Sequence, residues 1–177
     1  MKLVSPWVLA LIVAVVLVAR VGAQEVAEGK FISAQGKDVG TVHVEHYESY
    51  TLFLVKVHDL PPGVHGIHIH SVGTCTPPSF DSAGPHFNPT NSQHGAKNPK
   101  GPHAGDLPNI TIPADGKLET QIVVTGSRQW QGESGLFDGD GVSLVIHANP
   151  DDYITDPSGN SGPRIACAVL TIPQYNM

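Results

Sequence analysis

Two histidines separated by one isoleucine, in the segment GIHIHSVGTC, are the first side chains of this sequence suited to binding a metal ion. Side chains alternate along a strand, so His68 and His70 would share one face while Ile67 and Ile69 turn toward a core. The segment SLVIHA presents His147 in a similar way. Parallel imidazoles on a strand suit a nitrogen site for copper or nickel, although the spacing alone does not distinguish copper from zinc. A pair of exposed strand histidines without a metal is the alternative interpretation.

A segment without hydrophobic periodicity supplies a second set of candidate ligands. Gly, Pro, Asn and Ser dominate residues 71–108. A loop of this length is unusual inside a compact domain, so it is either disordered or held by something other than apolar packing. Three imidazoles and one carboxylate make a closed tetrahedral zinc site, and binding energy would then replace the missing core of the loop. A lone loop histidine is usually solvated, but here four candidates lie within 21 residues: His86, His94, His103 and Asp106.

The elements that must position these residues are short and strand-like. Residues 39–47 and 50–58 predict a hairpin, and residues 110–124 predict a second hairpin with its turn at Asp115 and Gly116. Residues 64–70, 141–148 and 164–172 predict further strands, the last two separated by a second long loop. No helix of normal length, internal repeat or second domain is evident. The pattern predicts an all-β sandwich or barrel.

Composition narrows the class of protein. The chain has 177 residues, enough for one domain with a full core. Only 15% of the residues are charged and the net charge is −6, which excludes a nucleic-acid binder held by bulk charge. The 19 glycines and 15 prolines predict many turns. Ten histidines beside two cysteines and two methionines favour metal binding.

The N-terminus has the layout of a secretory signal peptide. A positive start precedes an apolar run over residues 7–19, and small residues then offer cleavage after Ala23. This predicts a signal peptide over residues 1–23 and a mature domain over residues 24–177; an uncleaved membrane anchor is the alternative. Cleavage would take the net charge from −6 to −8. In an oxidising compartment Cys75 and Cys167 are expected to form a disulfide, with two buried free thiols as the alternative.

Several segments occur in an order that resembles the copper/zinc superoxide dismutases. They are GIHIH with its following cysteine, SAGPHFNP, HAGDLPNI, DGDGVSLVIHANPDD and GNSGPRIAC. The resemblance extends from about residue 27 to residue 172. It implies an all-β fold, an eight-stranded Greek-key β-barrel in the form of a flattened sandwich with two long functional loops.

The resemblance also implies a role for each candidate residue. One copper and one zinc per chain would share His86 as a bridging ligand, and Asp151 would hydrogen-bond one ligand of each metal, His68 and His94. Arg164 would attract the superoxide anion beside copper. The implied copper ligands are His68, His70, His86 and His147. The implied zinc ligands are His86, His94, His103 and Asp106.

The implied activity is that of an exported superoxide dismutase that turns two superoxide anions into dioxygen and hydrogen peroxide as copper is alternately reduced and oxidised. The alternative is a non-catalytic copper- and zinc-binding barrel for copper buffering or transfer. The expected location is secreted, periplasmic or otherwise extracytoplasmic, with membrane contact only if the N-terminal segment stays uncleaved. A homodimer is left open. His65 is expected to be structural, and the remaining histidines are expected on strand surfaces: His43, His46 and His58.

Overall fold

The computed structural model describes residues 25–125, 135–136 and 141–172. The predicted signal peptide therefore lies outside the described residues. The strands of the described part are β1 (Glu25–Ser33), β2 (Asp38–His46), β3 (Tyr50–Val57), β4 (Gly63–His65), β5 (Ile67–His70), β6 (Ile110–Ile112), β7 (Leu118–Thr125), β8 (Val142–His147) and β9 (Arg164–Leu170). A 3-10 turn covers Asp81–Ala83. No described segment is a helix long and apolar enough to cross a membrane.

Seven strands form one curled antiparallel sheet in the order β5-β8-β9-β1-β2-β3-β7, and β4 pairs with β6. The predicted hairpin of β2 and β3 is confirmed, with Val44 opposite Phe53. Alternate residues on both strands are buried because the period of two turns the apolar set toward the core. Ile67 and Ile69 of β5 join the same core. The all-β prediction is confirmed, and the described residues contain the expected eight strands when β4 and β5, which Gly66 separates, are counted together.

Two details of the predicted strand plan are wrong. Residues 110–124 do not form a hairpin, because β6 pairs with β4 while β7 pairs with β3. The predicted turn does form, with the Gly116 N–H donating to Pro113 O (3.0 Å), but the strands on either side of it join different sheets. Residues 64–70 divide at Gly66, which exchanges hydrogen bonds with Asn149 and His147 instead of β6 (both 2.9 Å). β1 was not predicted.

The long loop between β5 and β6 contributes more to the core than its composition indicates. Phe87 and Leu107 pack in the main core, and Phe80 joins a second cluster beneath the loop with Val145 and Cys167. Backbone hydrogen bonds also tie the loop to the free edge of β5, where Ile69 N–H donates to Gly105 O and Phe87 N–H donates to Ile69 O. Apolar packing and strand-edge pairing therefore both hold the segment that was expected to depend on zinc.

A disulfide joins Cys75 of this loop to Cys167 of β9, as predicted. The Cys167 side chain is fully buried. The bridge fixes the loop to the middle of β9, a central strand of the sheet.

Candidate metal centre

Six histidines and two aspartates lie together where β5 and β8 meet the two long loops. The first group draws two histidines from β5, one from the end of β8 and one from the long loop. Each offers a ring nitrogen within 4.8 Å of the others, and all four side chains are buried. The group consists of His68, His70, His86 and His147.

Four buried ring nitrogens of this group have no hydrogen-bond partner: His68 Nδ1, His70 Nε2, His86 Nε2 and His147 Nε2. Leaving one buried polar atom unpartnered costs about 1–3 kcal/mol. Four such atoms in one small volume are therefore expensive unless a cation accepts their lone pairs. Neutral imidazoles are the usual nitrogen ligands of copper, so the residues present fit that ion.

The opposite ring nitrogens of the same histidines are hydrogen-bonded, which fixes each ring. His70 Nδ1 donates to Gly84 O (2.8 Å) and His147 Nδ1 donates to Gly162 O (3.1 Å). His68 Nε2 lies 3.0 Å from Asp151 Oδ2. A ring nitrogen that donates to a carbonyl carries the proton, so the inward nitrogen of that ring keeps its lone pair for a metal.

The second group is centred on Asp106 Oδ1 and also includes His86. Asp106 Oδ1 lies 2.9 Å from His86 Nδ1, 3.0 Å from His94 Nδ1 and 3.3 Å from His103 Nδ1. The His94 contact lacks hydrogen-bond alignment, since this buried nitrogen has no hydrogen-bond partner. Three imidazoles and one carboxylate converging in this way fit a tetrahedral zinc ion. His86 turns Nδ1 to this group and leaves Nε2 for the first.

Asp151 connects the two groups. Its Oδ2 lies 3.0 Å from His68 Nε2 and its Oδ1 lies 2.9 Å from His94 Nε2. The carboxylate is fully buried. Gly159 has a positive φ of 65°, and a Cβ there would collide with both the Asp151 carboxylate and His94 Nε2. The second loop can cover this bridge only because residue 159 lacks a side chain.

Burial and charge shift the pKa values in opposite directions in the two groups. Burial lowers the pKa of His70 to about 2, His147 to about 3 and His86 to about 4, and the neighbouring histidines contribute to each shift. These rings therefore remain neutral near pH 7, as metal ligation requires.

Burial also lowers the pKa of His94, but Asp106 and Asp151 outweigh it and raise that pKa to about 9. Burial raises the pKa of Asp151, yet its hydrogen bonds to His68 and His94 hold it well below its usual range. The pKa of Asp106 is likewise lowered against burial, by His86 and His94. The carboxylates of Asp106 and Asp151 thus stay ionised, and a divalent cation bound beside them would displace the proton that His94 carries in the metal-free protein.

Arg164 reaches from the first residue of β9 to the long loop. Its Nη1 donates to Phe80 O (2.5 Å) and its Nη2 donates to Gly84 O (2.7 Å). Gly84 O also accepts the hydrogen bond of His70. One carbonyl therefore connects the arginine to the first histidine group, which is a link that the sequence does not reveal.

Asn109, at the end of the long loop, clamps the second loop, a role that was not predicted from the sequence. Its Nδ2 donates to Asp151 O and its Oδ1 accepts the Asp151 N–H, both at 2.9 Å. Its own N–H donates to the Tyr153 hydroxyl (2.8 Å). These contacts set the backbone on both sides of the bridging carboxylate.

The other histidines follow the expectations in part. His65 is structural, with Nδ1 2.8 Å from His147 O and Nε2 2.9 Å from Pro61 O. His43 is half-buried on the outer sheet face beside Glu28. The surface prediction for His46 is wrong, because it is 8% exposed and lies 3.0 Å from the Thr51 hydroxyl.

An all-β barrel-like fold with two adjoining histidine groups, which share His86 and are linked by Asp151, defines a metalloprotein with paired cation sites. Residues 39–170 match the family model described as copper/zinc superoxide dismutase (SODC). The chain therefore belongs to the copper/zinc superoxide dismutase family, a class of oxidoreductases that uses copper and zinc.

Relatives and solved structures agree with this membership. Superoxide dismutase [Cu-Zn] 2 of Aquifex aeolicus is 42% identical over 81% of this chain and 85% of its own length. A SOD-like protein from Bacillus subtilis has a similar crystal structure (TM-score 0.75, 38% identity, 81% of this chain and 97% of that chain). The Cu/Zn superoxide dismutase from Brucella abortus is also similar (TM-score 0.64, 30% identity, 82% of this chain and 99% of that chain).

Proposed function

We propose that the chain is an exported superoxide dismutase that converts two superoxide anions into dioxygen and hydrogen peroxide. The observation that carries this proposal is a cluster of four buried, unpartnered ring nitrogens joined through one carbonyl to a fixed arginine. Copper, which can be reduced and reoxidised, would supply the electron transfer, whereas zinc has no redox chemistry and would be structural.

We assign one copper and one zinc to each chain. Copper is assigned to His68, His70, His86 and His147. Zinc is assigned to His86, His94, His103 and Asp106. His86 serves both ions because its two nitrogens face the two groups, and we assign it the delivery of a proton from Nε2. Asp151 keeps His68 and His94 oriented, as carboxylates behind metal-bound histidines commonly do.

Arg164 is assigned the attraction and orientation of superoxide. Its guanidinium is half-buried and its two hydrogen bonds fix its direction beside His70. A fixed positive charge favours a small anion at that point, although the chain as a whole is negative.

An extracytoplasmic location is supported by the disulfide and by the bacterial relatives. Disulfides persist mainly in oxidising compartments. We therefore propose that residues 1–23 act as a cleaved signal peptide and that residues 24–177 form the mature domain.

The test combines metal analysis with a superoxide-consumption assay on the mature protein. We expect one copper and one zinc per chain and consumption of superoxide. The variant His94→Ala should lose zinc and loosen the long loop while it keeps copper, because His94 is not one of the four histidines of the first group. His58→Ala, which alters a half-buried histidine beside Asp59, is the matched control and should keep both metals.

Two results would count against the proposal. Zinc retained by His94→Ala at the parent affinity would contradict the assignment of the second group. Copper bound without superoxide consumption would favour the copper-buffering alternative. We retain this alternative because one similar structure is described as that of a SOD-like protein.

A further inference from the structure

We propose that Asp156 is a positioning residue of the zinc group, through which one carboxylate oxygen orders both His94 and His103. This inference rests on the proposed zinc ligands, and it adds a residue that holds two of them in place. Asp156 lies in the second loop, outside both histidine groups.

Each histidine that faces a metal site with one ring nitrogen can be held in place by a hydrogen bond from its other nitrogen, here called the outer nitrogen. These bonds are present for some of the histidines and absent for one. His68 and His94 use theirs on Asp151, and His70 and His147 use theirs on backbone carbonyls. His86 turns both nitrogens inward. Of the six histidines in the two groups, only His103 has an outward-facing ring nitrogen, Nε2, that forms no hydrogen bond with another described residue.

Asp156 is the carboxylate that faces this nitrogen. Its Oδ1 lies 3.8 Å from His103 Nε2, and the same oxygen accepts the backbone N–H of His94 at 2.6 Å. His103 is 7% exposed whereas the Asp156 side chain is 47% exposed. The carboxylate therefore covers the outer edge of a nearly buried ring.

A cleft of about 500 Å³ lies beside this contact and is lined by His86, Asn88, His103 and Asp156, among others. His103 and Asp156 both line this cleft, so the contact between them borders space that solvent can enter. A carboxylate at this distance favours the tautomer with the proton on Nε2. That tautomer leaves Nδ1, which is 3.3 Å from Asp106 Oδ1, with a free lone pair for the metal.

The contact also joins two loops that are distant in sequence. The bond from His94 to Asp156 spans 62 residues. A purely structural role for Asp156 would consist of this backbone bond alone. The positioning role requires in addition that the negative charge acts on His103, and a substitution can separate the two.

The experiment measures the zinc dissociation constant of the mature, copper-free protein by competition with a chromophoric chelator. Asp156→Asn keeps an oxygen that can accept the His94 N–H but removes the charge, and Asp156→Ala removes both. The matched control is Asp152→Asn, which deletes the same charge from the same loop. Asp152 accepts hydrogen bonds from Ile154, Thr155 and Asn160, and within the described part of the chain it forms no hydrogen bond or ion pair with a histidine of either group.

We expect Asp156→Asn to weaken zinc binding by roughly 10- to 100-fold, as loss of outer carboxylates typically does. Asp156→Ala should weaken it further, while Asp152→Asn should stay within about threefold of the parent. In nitrogen-15 spectra of the zinc-loaded protein, the Nε2 proton of His103 should exchange with water faster in Asp156→Asn. A merely structural role would leave that exchange unchanged.

Parent-like zinc affinity in Asp156→Asn would overturn the inference, whatever Asp156→Ala does. So would equal weakening by Asp156→Asn and Asp152→Asn. Failure of the proposed function is distinguishable, because it appears as a parent that binds no zinc or as His94→Ala with unchanged zinc affinity.

Discussion

Arg164 and His70 donate to the same carbonyl, that of Gly84. Burial lowers the pKa of the Arg164 guanidinium and the charge of Asp81 opposes this shift, but a guanidinium remains positively charged at neutral pH. No other cationic side chain stands between His147 and Cys167 in the sequence. Within this segment of the chain, attraction of an anion therefore depends on Arg164.

Substitution of Arg164 should slow superoxide consumption while both metals stay bound, because the arginine is not a ligand. Arg164→Ala should lower the rate substantially. Arg164→Glu should be slower still, since it adds repulsion, and Arg164→Lys should recover part of the rate without the planar fork. The parent rate should fall as salt rises through about 0.1 M, where the screening length is roughly 10 Å. Pulse radiolysis at graded ionic strength measures all four proteins.

The alanine variant should respond less steeply to salt than the parent. Equal rates for Arg164→Ala and Arg164→Glu, with metals confirmed, would show that the side chain does not face the path of the anion.

At the scale of residues, the sequence predicts which side chains form the site better than it predicts the groups that these side chains contact. His68 and His70 were assigned to one face by alternation, and the structure gathers them with His86 and His147. The carbonyl of Gly84 could not be predicted, because backbone acceptors are defined only by tertiary contacts. The contacts of Asp156 and Asn109 could not be predicted for the same reason, since a lone polar loop residue gives no indication of what it contacts.

At the scale of elements, the candidate metal centre is formed by β5, by the end of β8 and by the two long loops that fold back over them. β8 has a register irregularity between Ile146 and His147, at the point where its last residue enters the first group. The β2–β3 hairpin was predictable because its pattern is local. The division at Gly66 was not, because the partner of a strand segment depends on distant chain.

The disulfide should stabilise the fold and keep the arginine's acceptors in place. It closes 92 residues, for which the chain-entropy model gives roughly 4–5 kcal/mol. In the variant with both Cys75→Ala and Cys167→Ala, the free energy of unfolding should fall by about that amount. Unfolding should therefore occur at a lower denaturant concentration. It should also consume superoxide more slowly, because Phe80 and Gly84 lie in the released part of the loop.

Urea titration of the metal-free parent and variant measures the first effect, and the parent reduced with dithiothreitol is the control for the alanine substitutions. Two free thiols found by mass spectrometry in protein recovered from the exported compartment would contradict the bridge.

At the scale of the whole molecule, the shifted pKa values make the stability of the metal-free protein depend on pH. Burial lowers the pKa values of His70, His86 and His147 from 6.5 to about 2, 4 and 3. Between about pH 4 and 6.5 the unfolded chain therefore binds more protons than the fold, and stability rises with pH. His94, with its pKa raised to about 9, reverses the sign above pH 6.5, because the fold then binds more protons.

We expect maximum stability of the metal-free protein near pH 6.5. The acid side should be the steeper, since three histidines act there and one acts on the alkaline side. Denaturant titrations at pH 4.5, 6.5 and 8.5 measure the profile. His94→Ala should flatten the alkaline side, and stability that increased from pH 6.5 to 8.5 in the parent would show that the sign is wrong.

The clamp of Asn109 on Asp151 bears on the choice of cell in which the protein is produced. Asn109, Ile110 and Thr111 form the acceptor sequence for N-linked sugars, which are attached to the side-chain amide nitrogen. That nitrogen is the donor to Asp151 O. A glycan added in a eukaryotic secretory pathway before folding would occupy the space between the two loops and prevent their docking. Thr111 is exposed, so Thr111→Ala removes the acceptor sequence in such a host and leaves the clamp intact.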